Sequence, residues 1–314
     1  MEQENLKHKT KVGLYWSFFN QFANNGLQFV VGIVMARLLS PEDYGITALP
    51  AVFMAVAGTL IDAGFSSALV RKPELTEKDL STSFYYSILV GITCYLAIFI
   101  AAPWIAAFYN IQVLEPLIRV TALTFLWGPL STPQSVILQR RLDFKTPARI
   151  SVITKIVGSI IGITFAYLGY GLWALVIMGV VSSLLGLIQT WLVVRWLPKE
   201  GWSKDSFKYL WNFGNKIIGT YILDKVYENI TPIVIGKYYS PAQLGQYNRA
   251  QGYADLPSKQ VTGMIQGVTF PVLSKLQGDK EKLAEKYRTM IKTLSFVVMP
   301  VMLGLSALAY PVVG

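Results

Sequence analysis

The sequence predicts an all-α integral membrane protein of about nine transmembrane helices, a first six-helix lobe followed by the start of a second. Three observations carry that prediction. Hydrophobic residues fill 53% of the 314 positions and charged residues only 15%, far from the balance of an average soluble domain. The apolar residues fall in runs long enough to cross a bilayer, not in the shorter stretches of core helices. The polar residues of the first run also return two hundred positions later, as in carriers built from parallel repeats.

The nine runs are 13–38, 46–70, 84–108, 115–138, 150–168, 171–194, 213–238, 246–273 and 290–314. Residues 1–13 are polar and precede a run too long for a signal-peptide core, so the first span is expected to remain as an anchor. In that span Asn20, Asn24 and Gln28 stand four apart and form one polar stripe. It closes at Ser40-Pro41: Ser40 can N-cap the next helix, Pro41 fits its first turn, and Asp43 stands at the capping-box position. Cys94, alone in the third run, excludes an internal disulfide, and His8, the single histidine, lies in the polar N-terminal segment. Pro129 and Pro133 should kink the fourth span where neighbours or a wet cavity satisfy the freed carbonyls. Gly158 and Gly162 form a GxxxG in the fifth, pointing to a close helix contact.

The first lobe is read as residues 1–194. Residues 195–212 place Trp202, Phe207, Tyr209, Leu210 and Trp211 among Lys and Asp, which suits a short amphipathic connector helix at the cytoplasmic membrane surface. The second lobe, 213–314, repeats the devices of the first. Thr220, Asp224 and Glu228 fall on Asn20, Asn24 and Gln28, Lys237 on Arg37, Ser240-Pro241 with Gln243 on Ser40-Pro41 with Asp43, and Gly245 on Gly45. Spans eight and nine hold Pro257 and Pro300. The ninth run is still apolar at Gly314, so this lobe is expected to be truncated at three helices.

The net charge of +10 does not point to nucleic acid, because Lys and Arg collect in alternate loops: Lys7 to Lys11, Arg71 to Lys78, Arg140 to Arg149, Arg195 to Lys208 and Lys275 to Lys292. By the positive-inside rule the N-terminus is cytoplasmic. Some attraction to anionic lipid follows as well.

Three strings bear a resemblance. Leu14-Tyr15-Trp16-Ser17 leading to Met35-Ala36-Arg37-Leu38-Leu39-Ser40-Pro41-Glu42-Asp43-Tyr44-Gly45 is similar to the first hairpin of bacterial oligosaccharide flippases. So are Asp62-Ala63-Gly64-Phe65-Ser66-Ser67-Ala68-Leu69 and Leu138-Gln139-Arg140-Arg141-Leu142-Asp143-Phe144. They resemble the Wzx-type branch, near the colanic-acid and teichuronic-acid exporters, of the multidrug/oligosaccharidyl-lipid/polysaccharide (MOP) superfamily. The resemblance implies two lobes around a central cavity in the bacterial inner membrane. It implies a substrate of undecaprenyl-pyrophosphate-linked oligosaccharide turned from the cytoplasmic to the outer leaflet, with other polysaccharide assembly proteins as partners.

Ionisable groups inside spans are costly and so become functional candidates. Arg119, Lys155, Lys216, Lys225 and Lys259 would hold an anionic headgroup, Arg bidentately, while Asn20, Asn24, Gln28 and Gln251 offer hydrogen bonds to a glycan. Lys155 and Lys216 lie near the cytoplasmic face and could equally snorkel; Arg37 suits a helix C-terminus or an interfacial anchor. Gln251, Asp255, Lys259, Thr262 and Gln266 make a second stripe, in which Asp255 and Lys259 can neutralise each other. Asp62, Asp224, Glu228 and Asp255 are candidates for binding a coupling H⁺ or Na⁺. Asp224 and Glu228 are one turn apart, so burial and like charge should raise at least one pKa, unless Lys216 and Lys225 balance them. No Walker loop and no Cys/His cluster is present, so neither direct ATP use nor zinc is expected. Asn229-Ile230-Thr231 matches a glycosylation sequon by chance, inside a span. The alternatives are a drug or cation antiporter of the same superfamily, whose cavity should favour acids, and a glycan polymerase or ligase, for which the outer loops are short.

Overall fold

The computed structural model describes residues 2–252, 254–255 and 280–307. Among these residues every regular element is helical. The chain divides into two compact units, Met1–Leu244 and Gly245–Gly314.

In the first unit, α1 runs unbroken over Glu2–Leu38. Ser40 Oγ accepts the Asp43 N–H at 3.2 Å, and the Asp43 carboxylate accepts the Ser40 N–H at 2.9 Å. This reciprocal pair satisfies two amides at the start of α2 (Pro41–Ala48) that the helix itself cannot. The turn after the helix Lys204–Tyr238 uses the same device: Ser240 and Gln243 exchange hydrogen bonds of 3.3 and 3.1 Å. α3 (Ala51–Asp62) stops where Ala63 and Gly64 take left-handed φ values of 48° and 71°, a conformation glycine adopts without a steric penalty. The helix restarts as α4 (Phe65–Arg71).

α5 (Glu77–Tyr109) opens on a second capping box, Thr76 with Asp79. Asp79 is fully buried and also holds Lys72 Nζ at 2.7 Å through both carboxylate oxygens. Span four is not one kinked helix. It is α6 (Leu114–Ala122), α7 (Thr124–Trp127), a 3₁₀ turn (Gly128–Ser131) and α8 (Thr132–Arg140). Pro129 and Pro133 fall in the first turns of the 3₁₀ segment and of α8, where a missing N–H breaks no helical bond. α9 (Lys145–Tyr167) starts at Asp143, which accepts the Thr146 N–H at 3.0 Å and its Oγ–H at 2.7 Å. α10 (Trp173–Val194) packs along α9. A Cβ on Gly158 or Gly162 would run into Ser182 or Met178, so the GxxxG does bring two backbones together.

The connector differs from the amphipathic helix drawn for residues 195–212. Arg195 takes φ 49° and ends α10, residues 196–203 are not helical, and α11 (Lys204–Tyr238) already includes the rest. The reason is that Trp196 and Leu210 find protein to bury against, although Trp202, Tyr209 and Trp211 stay exposed. Trp196 and Leu210 join Phe65, Leu69, Phe84 and Val136 in one core cluster, and Trp196 Nε1 donates to Glu77 at 3.0 Å. Burying side chains of this size stabilises by roughly 1.5–3 kcal/mol each relative to water. α11 packs on α3, α4 and α5, and Gly214 sits so close to the Ala63 carbonyl that no Cβ fits between.

The Gln-Arg-Arg-Leu-Asp-Phe loop is architectural at both of its charged ends. Asp143 caps α9, and Arg140 donates to the carbonyls of Leu69, Val70 and Pro73 at 3.0–3.1 Å and contacts that of Lys72. It thereby satisfies the C-terminal carbonyls of α4, which otherwise lack donors.

Among the described residues, four segments are long and apolar enough to cross a membrane: Pro41–Arg71, Glu77–Tyr109, Lys145–Tyr167 and Trp173–Val194. α1 and α11 fall short of that threshold because a polar residue recurs at nearly every turn. The second unit holds the continuation of α12 (241–252) and α13 (Lys280–Ala307), which contains Pro300. Most of the expected eighth span, with Pro257, lies outside the described residues.

Candidate functional site

Polar side chains on apolar helices must find partners, since lipid offers none. On α1 they find α9. Asn24 is 7% exposed; its Nδ2 donates to the Asn20 carbonyl at 2.7 Å and contacts Asn20 Oδ1. Its own Oδ1 accepts from Ser151 Oγ at 3.1 Å. Both ends of the amide are thus satisfied. Asn20 is half-buried beside it, and Gln28 is exposed. Below the stripe, Lys145 Nζ and Arg149 Cζ lie 5.4 and 5.8 Å from the Trp16 ring centre, a cation–π geometry that fastens the start of α9 to α1.

Behind Ser151 lies a cavity of about 660 Å³ walled by α8, α9 and α10, with no residue of α1 in its lining. Ser135, Gln139, Thr154, Lys155 and Ser182 face it among Leu138, Phe144, Pro147 and Ile150. Asp143 is the acid of the lining, and its oxygens are taken by Thr146. Lys155 makes no ion pair among the described residues. Thr154 is 7% exposed and its Oγ has no partner.

The matching face of α11 is open. Lys216, Thr220, Tyr221, Asp224, Tyr227 and Glu228 are all exposed along it. Lys225 Nζ lies 2.7 Å from Glu228, with both side chains roughly half exposed, so the cation answers Glu228, and Asp224 forms no ion pair among the described residues. The two acids are therefore not the buried like-charge pair that the spacing suggested.

Two further candidates have structural partners. Arg119 bonds Glu115 at 2.8 Å and stacks 4.3 Å from the Phe99 ring centre, joining α6 to α5. Asp62 accepts from the Ser66 N–H at 3.3 Å and from its hydroxyl, which caps α4. Gln251 and Asp255 are half-buried in the second unit, while Lys259, Thr262 and Gln266 lie outside the described residues. Lys237, the counterpart of Arg37, donates to the Phe108 carbonyl at 2.5 Å.

Sequence reasoning missed Ser151, Thr154, Ser182 and Arg140. The signal for the first two was present: Ser151 and Thr154 are three apart, beside Lys155, on a mostly apolar run. Arg140 gave no such signal, because its acceptors are carbonyls nearly seventy positions away.

A family model described as a polysaccharide biosynthesis protein matches residues 34–314. A succinoglycan biosynthesis transport protein of Rhizobium meliloti is 27% identical over 94% of this chain and 60% of its own. The lipopolysaccharide biosynthesis protein WzxC of Escherichia coli is 24% identical over 96% of this chain and 61% of its own. A teichuronic acid biosynthesis protein of Bacillus subtilis is 24% identical over 93% and 61%. The chain thus spans about three fifths of the length of these relatives. No solved structure matches.

Proposed function

The chain belongs to this family of polysaccharide biosynthesis proteins, and from that premise we propose that it acts as a flippase, a carrier and not a catalyst. Its substrate is an undecaprenyl-pyrophosphate-linked oligosaccharide, moved from the cytoplasmic to the outer leaflet of the bacterial inner membrane for lipopolysaccharide, capsule or exopolysaccharide assembly. The observation that carries the reading is the polar face of α1, whose buried Asn24 is held by Asn20 and Ser151 inside a bundle of membrane-length helices. Neutral amides and hydroxyls match a sugar's alternating donors and acceptors, and they avoid the cost of a lone charge in lipid.

In this reading the wall of the path is Asn20, Asn24 and Gln28 on α1 with Lys216, Thr220 and Lys225 on α11. Gln251 and Lys259 take the same role on the chemistry of their side chains. Arg119, already neutralised by Glu115, serves packing. The two faces alternate in access as the lobes rock. A coupling H⁺ or Na⁺ binds at Asp224 or Glu228, with Asp62 and Asp255 as further carboxylates. Glu228→Gln should release Lys225 and weaken the dependence of transport on the ion gradient; unchanged transport with unchanged gradient dependence would remove Glu228 from the coupling site.

The deciding experiment uses a strain deleted for the gene and measures lipid-linked oligosaccharide on each leaflet of the inner membrane. Accumulation on the cytoplasmic side, reversed by the intact gene, is the expected result. Normal sidedness with unpolymerised units outside would favour a polymerase, and no change in either pool would refute the proposal.

A further inference from the structure

The cavity behind Ser151 has chemistry that the transport path does not use. Lys155 is a cation within a membrane-length helix and has no carboxylate partner among the described residues. An uncompensated charge in such a place is costly, so it implies an anion that the protein itself does not supply. Asp143 is not that anion: it accepts from the first-turn amide and hydroxyl of Thr146 and forms no ion pair with Lys155. Around Lys155 stand hydroxyl donors, of which Thr154 is more than nine-tenths buried and unpartnered. The remaining wall is apolar, from Leu138, Phe144, Pro147 and Ile150. At about 660 Å³ the space has the size of a small-molecule site.

We propose that this cavity is a binding site for the phosphate-ester headgroup of a resident anionic glycerophospholipid, one that is held and not transported. Lys155 neutralises the phosphate, the hydroxyls of Thr154 and Ser182 hydrogen-bond its oxygens, and the apolar wall receives the head of one acyl chain. Membrane position agrees. The loop that floors the cavity carries Arg141, and the first turns of α9 carry Lys145 and Arg149, all exposed. Such basic loops face the cytoplasmic leaflet, where anionic lipids collect, and basic pockets between helices on that side hold their headgroups. The site stands independently of the flippase reading, since it needs only a membrane and not a transport cycle.

The test is lipid retention by the purified full chain. After delipidation in neutral detergent, native mass spectrometry counts bound lipid with phosphatidylglycerol, phosphatidylcholine or a polyisoprenyl phosphate added at equal concentration, and with inorganic phosphate as competitor. One phosphatidylglycerol should be retained in preference to phosphatidylcholine. Lys155→Gln should weaken that retention about tenfold or more, as expected for loss of a charge-assisted bond, and Lys155→Arg should keep it. Lys208→Gln, an exposed change at the start of α11, should have no effect. Gly179 also lines the cavity and a Cβ there meets open space, so Gly179→Phe should fill the site and abolish retention even if Lys155→Gln fails to fold. Equal retention of both glycerophospholipids with no effect of either variant would overturn the proposal. Preferential retention of polyisoprenyl phosphate would assign the pocket to the transported lipid, and displacement by inorganic phosphate alone would reduce it to a free-anion site. Each of these would also refute a resident glycerophospholipid.

Discussion

The Lys72–Asp79 pair offers a sharp test of how the loop ends of the first unit are held. Asp79 is fully buried and receives Lys72 Nζ at 2.7 Å, the Thr76 N–H at 3.0 Å and the Thr76 hydroxyl at 2.8 Å. Asp79→Ala therefore removes an ion pair and the N-terminal box of α5 together. Breaking a buried pair from one side costs about 3–5 kcal/mol, and losing a cap adds about 1 kcal/mol. The Lys72 side chain is 21% exposed, so water recovers part of the loss and the lower half of the range is expected. Lys72→Met should cost about 2–4 kcal/mol, since it strands the buried carboxylate and also removes the cation from the Tyr209 ring, 4.8 Å away. A double-mutant cycle on the thermal midpoint, at roughly 2–4 °C per kcal/mol for a unit of this size, should return a coupling of about 2 kcal/mol. The exposed Lys225–Glu228 pair, at the same 2.7 Å, should return well under about 1 kcal/mol. Equal coupling at the two pairs, or less than about 0.5 kcal/mol at Lys72–Asp79, would refute the argument that burial and not distance sets the value.

Three other outcomes follow from the packing. Gly158→Leu drives a side chain into Ser182 and should cost at least about 1–3 kcal/mol, whereas Gly219→Ala, with open space at its Cβ, should be neutral or stabilising; thermal midpoints of the two compared with the native chain decide it. Ser40→Ala and Ser240→Ala should each cost about 1 kcal/mol, because each removes the acceptor of one N-terminal amide; a cost at only one of them in denaturation would mean the two turns are alike in sequence but not in energy. Asn24→Leu combined with Ser151→Ala should leave the midpoint within about 1 kcal/mol of native, since both partners of the hydrogen bond are then apolar, yet it should lower oligosaccharide transport. A parallel fall in stability and transport would mean that Asn24 only packs.

Much of this architecture was legible because its signals are local. A Ser-Pro followed by Asp or Gln two positions on specifies a helix start through bonds within one turn, and both copies form it. A GxxxG specifies a close approach through what it lacks, and the approach occurs. What was not legible depends on partners distant in the chain. The amphipathicity of residues 204–212 suits a membrane surface equally well, and only the presence of Phe65 and Phe84 nearby turns that face inward. Arg140 reads as one more positive-inside charge, yet it binds the end of α4. Asp62 and Arg119 read as intramembrane charges, yet each is held by a neighbour that spacing did not rank above a ligand.

α1 and α11 both fall short of membrane-length apolarity. They share the turn that follows them, so each helix ends and hands over to the next in the same way. Their middle turns diverged, to neutral amides on α1 and to Lys, Asp and Glu on α11. Packing alone would have favoured apolar residues at both sets of positions, because a polar group in a helix bundle is stabilising only when it is satisfied. On α1 Asn24 is satisfied within the protein, through Ser151; on α11 Asp224 and Lys216 are exposed and form no ion pair among the described residues. In the proposed flippase, polarity of this kind would serve the substrate and not the fold, and the unlike faces would suit one with an uncharged glycan at one end and a charged link at the other.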